Sequence, residues 1–407
     1  MDSSVLQTYA QLIIKKGINL QKGKGVVILT GIGTYYFARE LSKCAYSEGA
    51  SYVQVMIDDQ DVLASRLTHQ DEQQVQFSPN FLKALDYEFC AEGWSYIRID
   101  STDERLDHAP FDPEKHQLYS TAKRKFSEAR AKKLMRHQLP WCVCVAPGPL
   151  WAKQVLGEEA TEDDLMEVLK PILLLDTEDP LKAWDDKKEV LIKRQRYLNS
   201  LGLESLHFTS SKADLVVGLT EQARFVGGGE KLPDGTEFFP NIPTEEIFTT
   251  PDFRKADGYI TTTKPVEVLG TTTEEVTFVF RNGKVVEHSA KSGSEAITRF
   301  FAIDEGTRSI GEVALVDETS PIAKSNVIFN SILLDENASC HLALGDGYPT
   351  ALANGSQLRD EAQLRDAGCN TSLMHVDFMV GSKDMQITGL CRNKEQVLLM
   401  KDGVFVF

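Results

Sequence analysis

The sequence lacks any long run of apolar residues, and this absence limits where the protein is expected to work. No window approaches the roughly 20 apolar residues that a transmembrane helix needs. The first residues lead into Lys15 and Lys16 without the apolar segment of a secretory signal. We therefore expect this chain of 407 residues to be a soluble protein of the cytoplasm.

Cysteine and positive charge are also scarce. The seven cysteines are odd in number and scattered, and Cys142 and Cys144 lie in an apolar run, so reduced thiols fit better than a disulfide framework. The 44 Lys and Arg residues are outnumbered by 60 Asp and Glu residues, which gives a formal net charge of -16. A chain this acidic repels nucleic acid and anionic membrane surfaces, so neither is expected as a partner.

What the sequence contains is typical of a globular protein with two domains. Hydrophobic residues make up 42% and charged residues 26%, and the chain is longer than a single compact core usually allows. In the first half, strand patterns alternate with helical patterns, which favours an α/β layer with a mainly parallel sheet. The predicted strands cover residues 25–30, 52–57, 95–99 and 142–146, and the predicted helices cover 34–47, 113–137 and 180–199.

The pattern changes after about residue 203. The later segments are rich in strand patterns, and two of them contain the short turn signal of a β-hairpin, Asn282-Gly283 and Asp402-Gly403. We therefore predict an N-terminal α/β domain at residues 1–203, followed by a strand-rich α+β domain at residues 204–407.

A glycine loop near the N-terminus has the layout of a dinucleotide-binding fingerprint. Gly31 and Gly33 follow a predicted strand and open a helix, and Asp58 and Asp59 end the next strand. The third glycine is missing, however, because Tyr36 stands where close packing between strand and helix requires Gly. We interpret the loop as a tight strand-to-helix turn and predict no nucleotide cofactor.

The second half places residues of metal-ligand type in unusual apolar surroundings. His375 and Asp377 alternate with Val376 and Phe378 on a predicted strand, so both polar side chains point to the same face. Burying them is costly unless something pairs with them. Glu312 introduces another strand-like apolar run, an equally unfavourable place for an unpaired carboxylate.

Two further segments add to this set. Glu336 and His341 are five residues apart, a spacing that lets both side chains reach one cation only on an irregular turn. Glu245 and Glu246 stand directly before apolar residues. Each segment also has a simpler explanation, such as a helix start at residues 244–246. Together, many carboxylates without thiolates at an obvious spacing favour Zn²⁺, Co²⁺, Mn²⁺ or Mg²⁺ over a cysteine-rich structural zinc site.

Five ordered motifs of the second half are shared with a known family. They are Phe-Val-Gly-Gly-Gly at 225–229, Pro-Asn-Ile-Pro-Thr-Glu-Glu-Ile-Phe-Thr-Thr-Pro at 240–251, Gly-Glu-Val-Ala-Leu-Val at 311–316, Asp-Glu-Asn-Ala-Ser-Cys-His-Leu-Ala-Leu-Gly at 335–345 and His-Val-Asp at 375–377. In these motifs, and over nearly its whole length, the sequence resembles the thermophilic-type metalloaminopeptidases, the family that includes aminopeptidases T and S.

The resemblance implies a metal-dependent aminopeptidase that acts on peptides with a free N-terminus through a hydroxide activated at a site of two divalent ions. It implies that Glu312 bridges the two ions and that Tyr348 lies near the reacting carbonyl. Either Glu246 or Glu312 would act as the general base. The family is dimeric, so a homodimer is expected. The implied metal ligands are Glu246, Glu312, Glu336, His341, His375 and Asp377.

Two alternatives remain open. The C-terminal scaffold is also similar to that of ring-cleaving dioxygenases acting on dihydroxypyridines, in which His341, His375 and Asp377 would hold a single iron. Such a site has no use for three additional glutamate ligands, which favours the peptidase. The second alternative is a non-catalytic binding protein on the same fold, and the intact set of ligand residues argues against it.

Overall fold

The computed structural model of the protein describes residues 2–100, 102–106 and 111–407. The chain forms two compact units, each made of three segments. Unit 1 consists of Met1–Asp186, Gly229–Pro243 and Ile328–Leu333. Unit 2 consists of Lys187–Gly228, Thr244–Val327 and Leu334–Phe407. A single division of the chain at residue 203 stays a prediction.

Unit 1 is built on a five-stranded sheet whose paired strands are all parallel, which confirms the predicted class of the N-terminal half. Four of the strands lie where the sequence predicts them. The fifth adds a short segment from much later in the chain. In spatial order the strands are Tyr52–Ile57, Gly25–Thr30, Ser95–Asp100, Trp141–Val145 and Asn241–Ile242.

Helices pack around this sheet. The helix predicted at residues 113–137 is in fact two helices, because Ser127 leaves the helical conformation and its hydroxyl donates to the Lys123 carbonyl. A two-stranded hairpin, Glu230–Lys231 with Glu237–Phe238, completes the regular structure. The helical segments of the first 200 residues are Ser3–Leu12, the π-helix Ile13–Gly17, Tyr35–Ser47, Gln60–His69, Glu72–Val75, Asn80–Glu92, Asp103–Leu106, Pro113–Phe126, Glu128–Met135, Pro149–Leu156, Glu162–Ile172 and Pro180–Ser200.

The glycine loop lies beside a carboxylate that belongs to the protein itself. Asp103 accepts hydrogen bonds from the backbone N–H groups of Leu150 and Trp151, at 2.8 and 3.3 Å, in the first turn of helix Pro149–Leu156. A Cβ atom added to Gly33 would lie 3.5 Å from Asp103 Cβ, and one added to Gly148 would lie 1.8 Å from its carboxylate. Because a helix N-terminus is an anion-binding position, the Asp103 carboxylate is well placed at the start of helix Pro149–Leu156, close to the glycine loop.

Unit 2 contains an eight-stranded antiparallel sheet and a shorter four-stranded one. Both predicted hairpins are present at the ends of the larger sheet, and their turn residues Asn282, Gly283, Asp402 and Gly403 have positive φ angles of 50°, 80°, 52° and 72°, as two-residue hairpin turns require. The strands of the larger sheet, in spatial order, are Lys284–Ser289, Thr277–Arg281, Ala256–Thr261, Ala213–Gly218, Leu203–Ser210, Gln386–Cys391, Gln396–Lys401 and Val404–Phe405.

We call the four-stranded antiparallel sheet the site sheet. Its strands, in spatial order, are Ile247–Thr249, Ile310–Leu315, His341–Gly345 and His375–Met379. One face buries apolar side chains such as Val313, Leu342 and Phe378 in the same hydrophobic core that the eight-stranded sheet uses. Side chains alternate between the two faces of a strand, so the polar residues between these apolar ones lie together on the opposite face.

Short elements connect these strands. They are the strand pair Val266–Val268 and Thr271–Thr273, the helices Ser294–Phe300, Pro321–Ser325, Ile332–Asp335 and Glu361–Asp366, and the 3₁₀ turns Glu305–Arg308, Glu336–Ala338, Pro349–Ala351 and Gly355–Gln357. Among the helices that the structure describes, none has both the length and the apolar composition needed to span a membrane.

Candidate metal centre

The strand register of the site sheet brings four of the predicted ligands onto one face. Glu312 is paired with Ala343, and Ala343 is paired in turn with Asp377 on the next strand. His375 is paired with Gly345 at the end of the same strand pair. The small side chains of Ala343 and Gly345 leave space between the larger polar groups, and His341 occupies the same face two residues before Ala343.

The other two predicted ligands come from irregular chain next to this face. Glu246 stands directly before strand Ile247–Thr249 rather than at a helix start, and its Oε2 atom lies 3.3 Å from His341 Nε2. Glu336 begins the 3₁₀ turn Glu336–Ala338, so the segment from Glu336 to His341 is an irregular turn followed by a strand. That is the conformation in which two side chains five residues apart can converge.

Two overlapping groups of side chains offer ligand atoms that all lie within 4.8 Å of one another. The first group is Glu246, Glu312 and His341, and the second is Glu312, His375 and Asp377. Glu312 belongs to both. Glu336 is outside the two groups found in the described chain, and its electrostatic neighbours are Asp377, Glu246, His341 and Glu312.

Both histidines are oriented by the backbone. His375 Nδ1 lies 2.8 Å from the carbonyl oxygen of Asp346, and His341 Nδ1 lies 3.3 Å from the carbonyl oxygen of Ser339. A carbonyl at Nδ1 favours the tautomer with its proton there, which leaves Nε2 available as a ligand. Each Nε2 faces a glutamate, since His375 Nε2 is 3.3 Å from Glu312 Oε2.

The electrostatics of the cluster show an excess of buried negative charge. Burial raises the pKa of Glu312 to about 7, with the carboxylate of Glu246 adding to the effect against a hydrogen bond from His375. Burial, Asp377 and Glu246 raise the pKa of Glu336 well above its usual value. Burial alone would lower the pKa of His341, but its hydrogen bond to Glu246 and the nearby carboxylates raise it to about 10. The cluster therefore attracts positive charge, whether protons or cations.

Divalent cations fit this set of residues. Asp377 Oδ1 is buried and has no hydrogen-bond partner within the described chain, although His375 Nε2 is 3.4 Å away. Such an atom is costly to bury unless a further group binds it. Carboxylate oxygens and neutral imidazoles are the ligands that Zn²⁺, Co²⁺ and Mn²⁺ accept. Four carboxylates and two neutral imidazoles carry four negative charges, which two divalent ions would balance.

A second layer of polar residues holds the glutamates, and the sequence patterns do not reveal it. Glu245, next to Glu246, is buried and forms an ion pair with Lys187 of helix Pro180–Ser200, so its carboxylate is already paired. Asn337 is fully buried; its side-chain oxygen accepts from the Glu245 N–H at 2.7 Å, and its amide nitrogen lies 3.5 Å from Glu336. In the sequence, Asn337 is only one residue of the motif at 335–345, and its burial and contacts become visible in the structure alone.

Tyr348 lies at the rim of the same face. Its ring packs edge-on against Phe248 and His375, with centroid distances of 5.5 and 5.0 Å. Burial, followed by the charge of Glu312, raises the pKa of the phenol well above its usual value. The hydroxyl therefore stays protonated at neutral pH and can donate a hydrogen bond.

A face that combines buried carboxylates with backbone-oriented imidazoles offers the ligand atoms of a divalent-metal site. The chain belongs to the thermophilic metalloprotease family M29, whose family model matches residues 2–405. It is therefore a metal-dependent peptidase, a hydrolase, which confirms the family that the motifs indicate.

Individual relatives match over almost their entire length. Aminopeptidase T of Thermus thermophilus is 34% identical over 405 residues, which are 98% of each chain. Aminopeptidase 2 of Geobacillus stearothermophilus is 33% identical, covering 99% of this chain and 98% of the relative. The solved structure of wild-type AmpT from Thermus thermophilus has a TM-score of 0.90 at 32% identity and covers 99% of both chains.

Proposed function

We propose that the protein is an aminopeptidase that releases N-terminal amino acids from peptides and holds two divalent cations. We propose two cations because Glu312 belongs to both overlapping groups of ligand residues. Relatives named as aminopeptidases support the exopeptidase activity. The proposed ligands are Glu246, Glu312, Glu336, His341, His375 and Asp377, with Zn²⁺, Co²⁺, Mn²⁺ or Mg²⁺ as the ions.

Divalent ions bound there would supply a water of lowered pKa and a Lewis acid that polarises the scissile carbonyl. The protein's own side chains then have three tasks. A carboxylate oxygen of Glu246 or Glu312 would accept the proton of the attacking water and pass it to the leaving amine. The Tyr348 hydroxyl would donate to the oxyanion that develops on the carbonyl. The acidic face would attract the α-ammonium group that marks a free N-terminus.

The family membership favours this activity over ring cleavage by a single iron held by His341, His375 and Asp377. The pairing of each histidine with a different glutamate points the same way, because a facial site of one iron leaves the glutamates without a task. The homodimer and the cytoplasmic location predicted from the sequence stay predictions, which sedimentation and cell fractionation test.

The activity is tested on protein stripped with a chelator and reloaded separately with Co²⁺, Zn²⁺ and Mn²⁺. We expect no release of amino acids from stripped protein and sequential release from the N-terminus of a short peptide after reloading. The same peptide with an acetylated N-terminus is the control and should remain intact. Activity that survives complete metal removal, or one iron per chain with O₂ consumption and no hydrolysis, would contradict the proposal.

A further inference from the structure

Strand His375–Met379 carries two of the proposed ligands and is an edge strand of the site sheet. It pairs with His341–Gly345 on one side only. Residues His375, Val376 and Asp377 are partly exposed, whereas Phe378 and Met379 are buried. The first half of this strand therefore presents an accessible edge directly beside the metal centre.

The hydrogen-bond register determines which backbone groups point outward at this edge. Outside the strand pair, the Asp346 N–H donates to the Met374 carbonyl and the Val380 N–H donates to the Cys340 carbonyl. Residues facing the partner strand alternate with residues facing away. Met374, Val376, Phe378 and Val380 therefore face the partner strand, and the N–H and C=O groups of His375, Asp377 and Met379 point away from it.

Only part of this outward row is already used. The Thr263 N–H donates to the Met379 carbonyl at 2.8 Å, and the Thr263 hydroxyl donates to the Gly381 carbonyl at 2.7 Å, so the far end is closed. Within residues 2–100, 102–106 and 111–407, no other residue forms a backbone hydrogen bond with His375 or Asp377 at this edge. The open edge therefore spans residues 375–377, about 7 Å of strand.

We propose that this open edge binds the main chain of the peptide substrate as an additional β-strand, an inference that rests on the proposed function. Backbone donors and acceptors at a sheet edge recognise an extended peptide of any sequence, because they contact only its main chain. The side chains of His375 and Asp377 project from the same two residues onto the metal-binding face. An added peptide is thus held by the backbone of the residues whose side chains hold the metal.

The proposal predicts a period of two along the substrate, since successive N–H groups of an extended peptide point to opposite sides. It also predicts a limit in length. Because Thr263 closes the edge at Met379, affinity should rise from a dipeptide to a peptide of about four residues and then stay constant.

The test uses the wild-type, metal-loaded protein and peptides whose scissile amide is replaced by a CH₂–NH link, so that binding is measured without turnover. Two tetrapeptide analogues each carry one ester, at the second or the third linkage, which removes one N–H donor without adding bulk. Isothermal titration gives Kd for the parent and for both esters. We expect one ester to raise Kd about tenfold and the other to leave it within about twofold.

Hydrolysis of the matching all-amide tetrapeptide is measured in parallel and tests the proposed activity separately. If the all-amide peptide is hydrolysed but both esters bind like the parent, or both bind equally weakly, the strand-addition proposal is wrong and the aminopeptidase activity stands. Alternation without hydrolysis would support the edge and overturn the aminopeptidase proposal. A parent peptide that does not bind at all would overturn the edge.

Discussion

In unit 1 the buried carboxylate of Asp103 accepts two backbone N–H groups, whereas in unit 2 the buried carboxylates of the site sheet face one another and two histidines. Both regions look like ligand sites in the sequence, the first through its glycine loop and the second through its clustered acids. Near the glycine loop, Asp103 has two backbone donors, whereas in the acidic cluster Asp377 Oδ1 has no hydrogen bond within the described chain. A buried polar group is costly unless a partner binds it, and the cost is largest for a charged group such as a carboxylate.

Other polar groups of unit 1 differ in this respect, since Thr102 Oγ1 and His137 Nδ1 have no hydrogen bond within the described chain. In unit 1, the Tyr9 hydroxyl donates to the Val145 carbonyl at 2.8 Å and the hydroxyls of Thr30 and Thr34 lie 2.9 Å apart. In unit 2, Asp377 Oδ1 is left without a hydrogen bond in the described chain. Substitutions in one unit at a time should therefore change either stability or metal binding.

The largest effect is expected from Glu312→Gln. A neutral amide cannot serve as the shared anionic ligand, so kcat/KM for a short peptide should fall by about 1000-fold or more, the scale of several kcal/mol of metal-dependent stabilisation. The matched control is Glu267→Gln, an exposed glutamate of unit 2 on strand Val266–Val268, which should keep its activity. Steady-state kinetics at saturating metal check both. A loss of less than tenfold in Glu312→Gln would contradict a central role.

Asp103→Ala should act on stability instead. Removing the buried cap leaves two helix N–H groups without their partner, so the free energy of unfolding should fall by about 2 kcal/mol while bound metal is unchanged. Asp112→Ala, which removes the exposed cap of helix Pro113–Phe126, is the comparison and should cost about 1 kcal/mol. Urea unfolding and metal analysis distinguish the two outcomes. Loss of metal from Asp103→Ala would break the contrast between the units.

The buried pair His137 and Glu230 of unit 1 should make the free energy of unfolding depend on pH in two opposing ways. Burial lowers the pKa of His137 to about 4 and raises the pKa of Glu230 to about 7, with His137 Nε2 3.6 Å from Glu230 Oε2. The contribution of the neutral histidine to the free energy of unfolding is lost as pH falls from 6.5 towards 4. The contribution of the protonated glutamate to the free energy of unfolding is lost as pH rises from 4.5 through 7.

The two dependences oppose each other in the wild type, so single variants should reveal them. Glu230→Gln should lose about 2 kcal/mol of unfolding free energy between pH 7 and pH 5. His137→Asn, which tolerates the left-handed backbone at φ 49°, should lose about 2 kcal/mol between pH 5 and pH 7. Urea titrations at both pH values measure the slopes. Equal slopes in the two variants would refute the assignment.

The smallest effect is expected from Asn337→Ala. This change removes the acceptor of the Glu245 N–H and the amide beside Glu336, so the dissociation constant for the metal should rise about tenfold, with activity restored at excess metal. Asn199→Ala removes a comparable clamp, on the backbone of Phe225, and should weaken folding but not metal binding. Chelator competition measures both. Equal metal affinities in the two variants would show that Asn337 has no positioning role.

Much of the fold could be predicted because its signals are local. The strand Gly25–Thr30 is a short apolar run. The turns at Asn282 and Asp402 are Asn-Gly and Asp-Gly, the residue pairs that two-residue hairpin turns favour. The division of residues 113–137 into two helices could not be predicted, because serine is compatible with a helix and only the backbone angles of Ser127, φ -93° and ψ 11°, mark the break. The placement of Asn241–Ile242 in the first sheet depends on contacts about 100 residues apart.

The site divides in the same way. His375 and Asp377 could be assigned to one face from strand periodicity alone, and the irregular turn before His341 from the spacing to Glu336. The pairing of Glu245 with Lys187 joins residues 58 apart in the chain, and no local pattern encodes it. Strand register decides which acids meet, and register is set by the whole sheet.

The most direct test of the two-metal centre is the number of divalent ions per chain. The stripped protein is saturated with Zn²⁺ or Co²⁺, freed of excess metal, and analysed by mass spectrometry for metal against protein concentration. We expect two ions in the wild type and in Glu267→Gln, and fewer than two in Glu312→Gln. A single ion in the wild type, or two that remain in Glu312→Gln, would contradict a two-metal centre shared through Glu312.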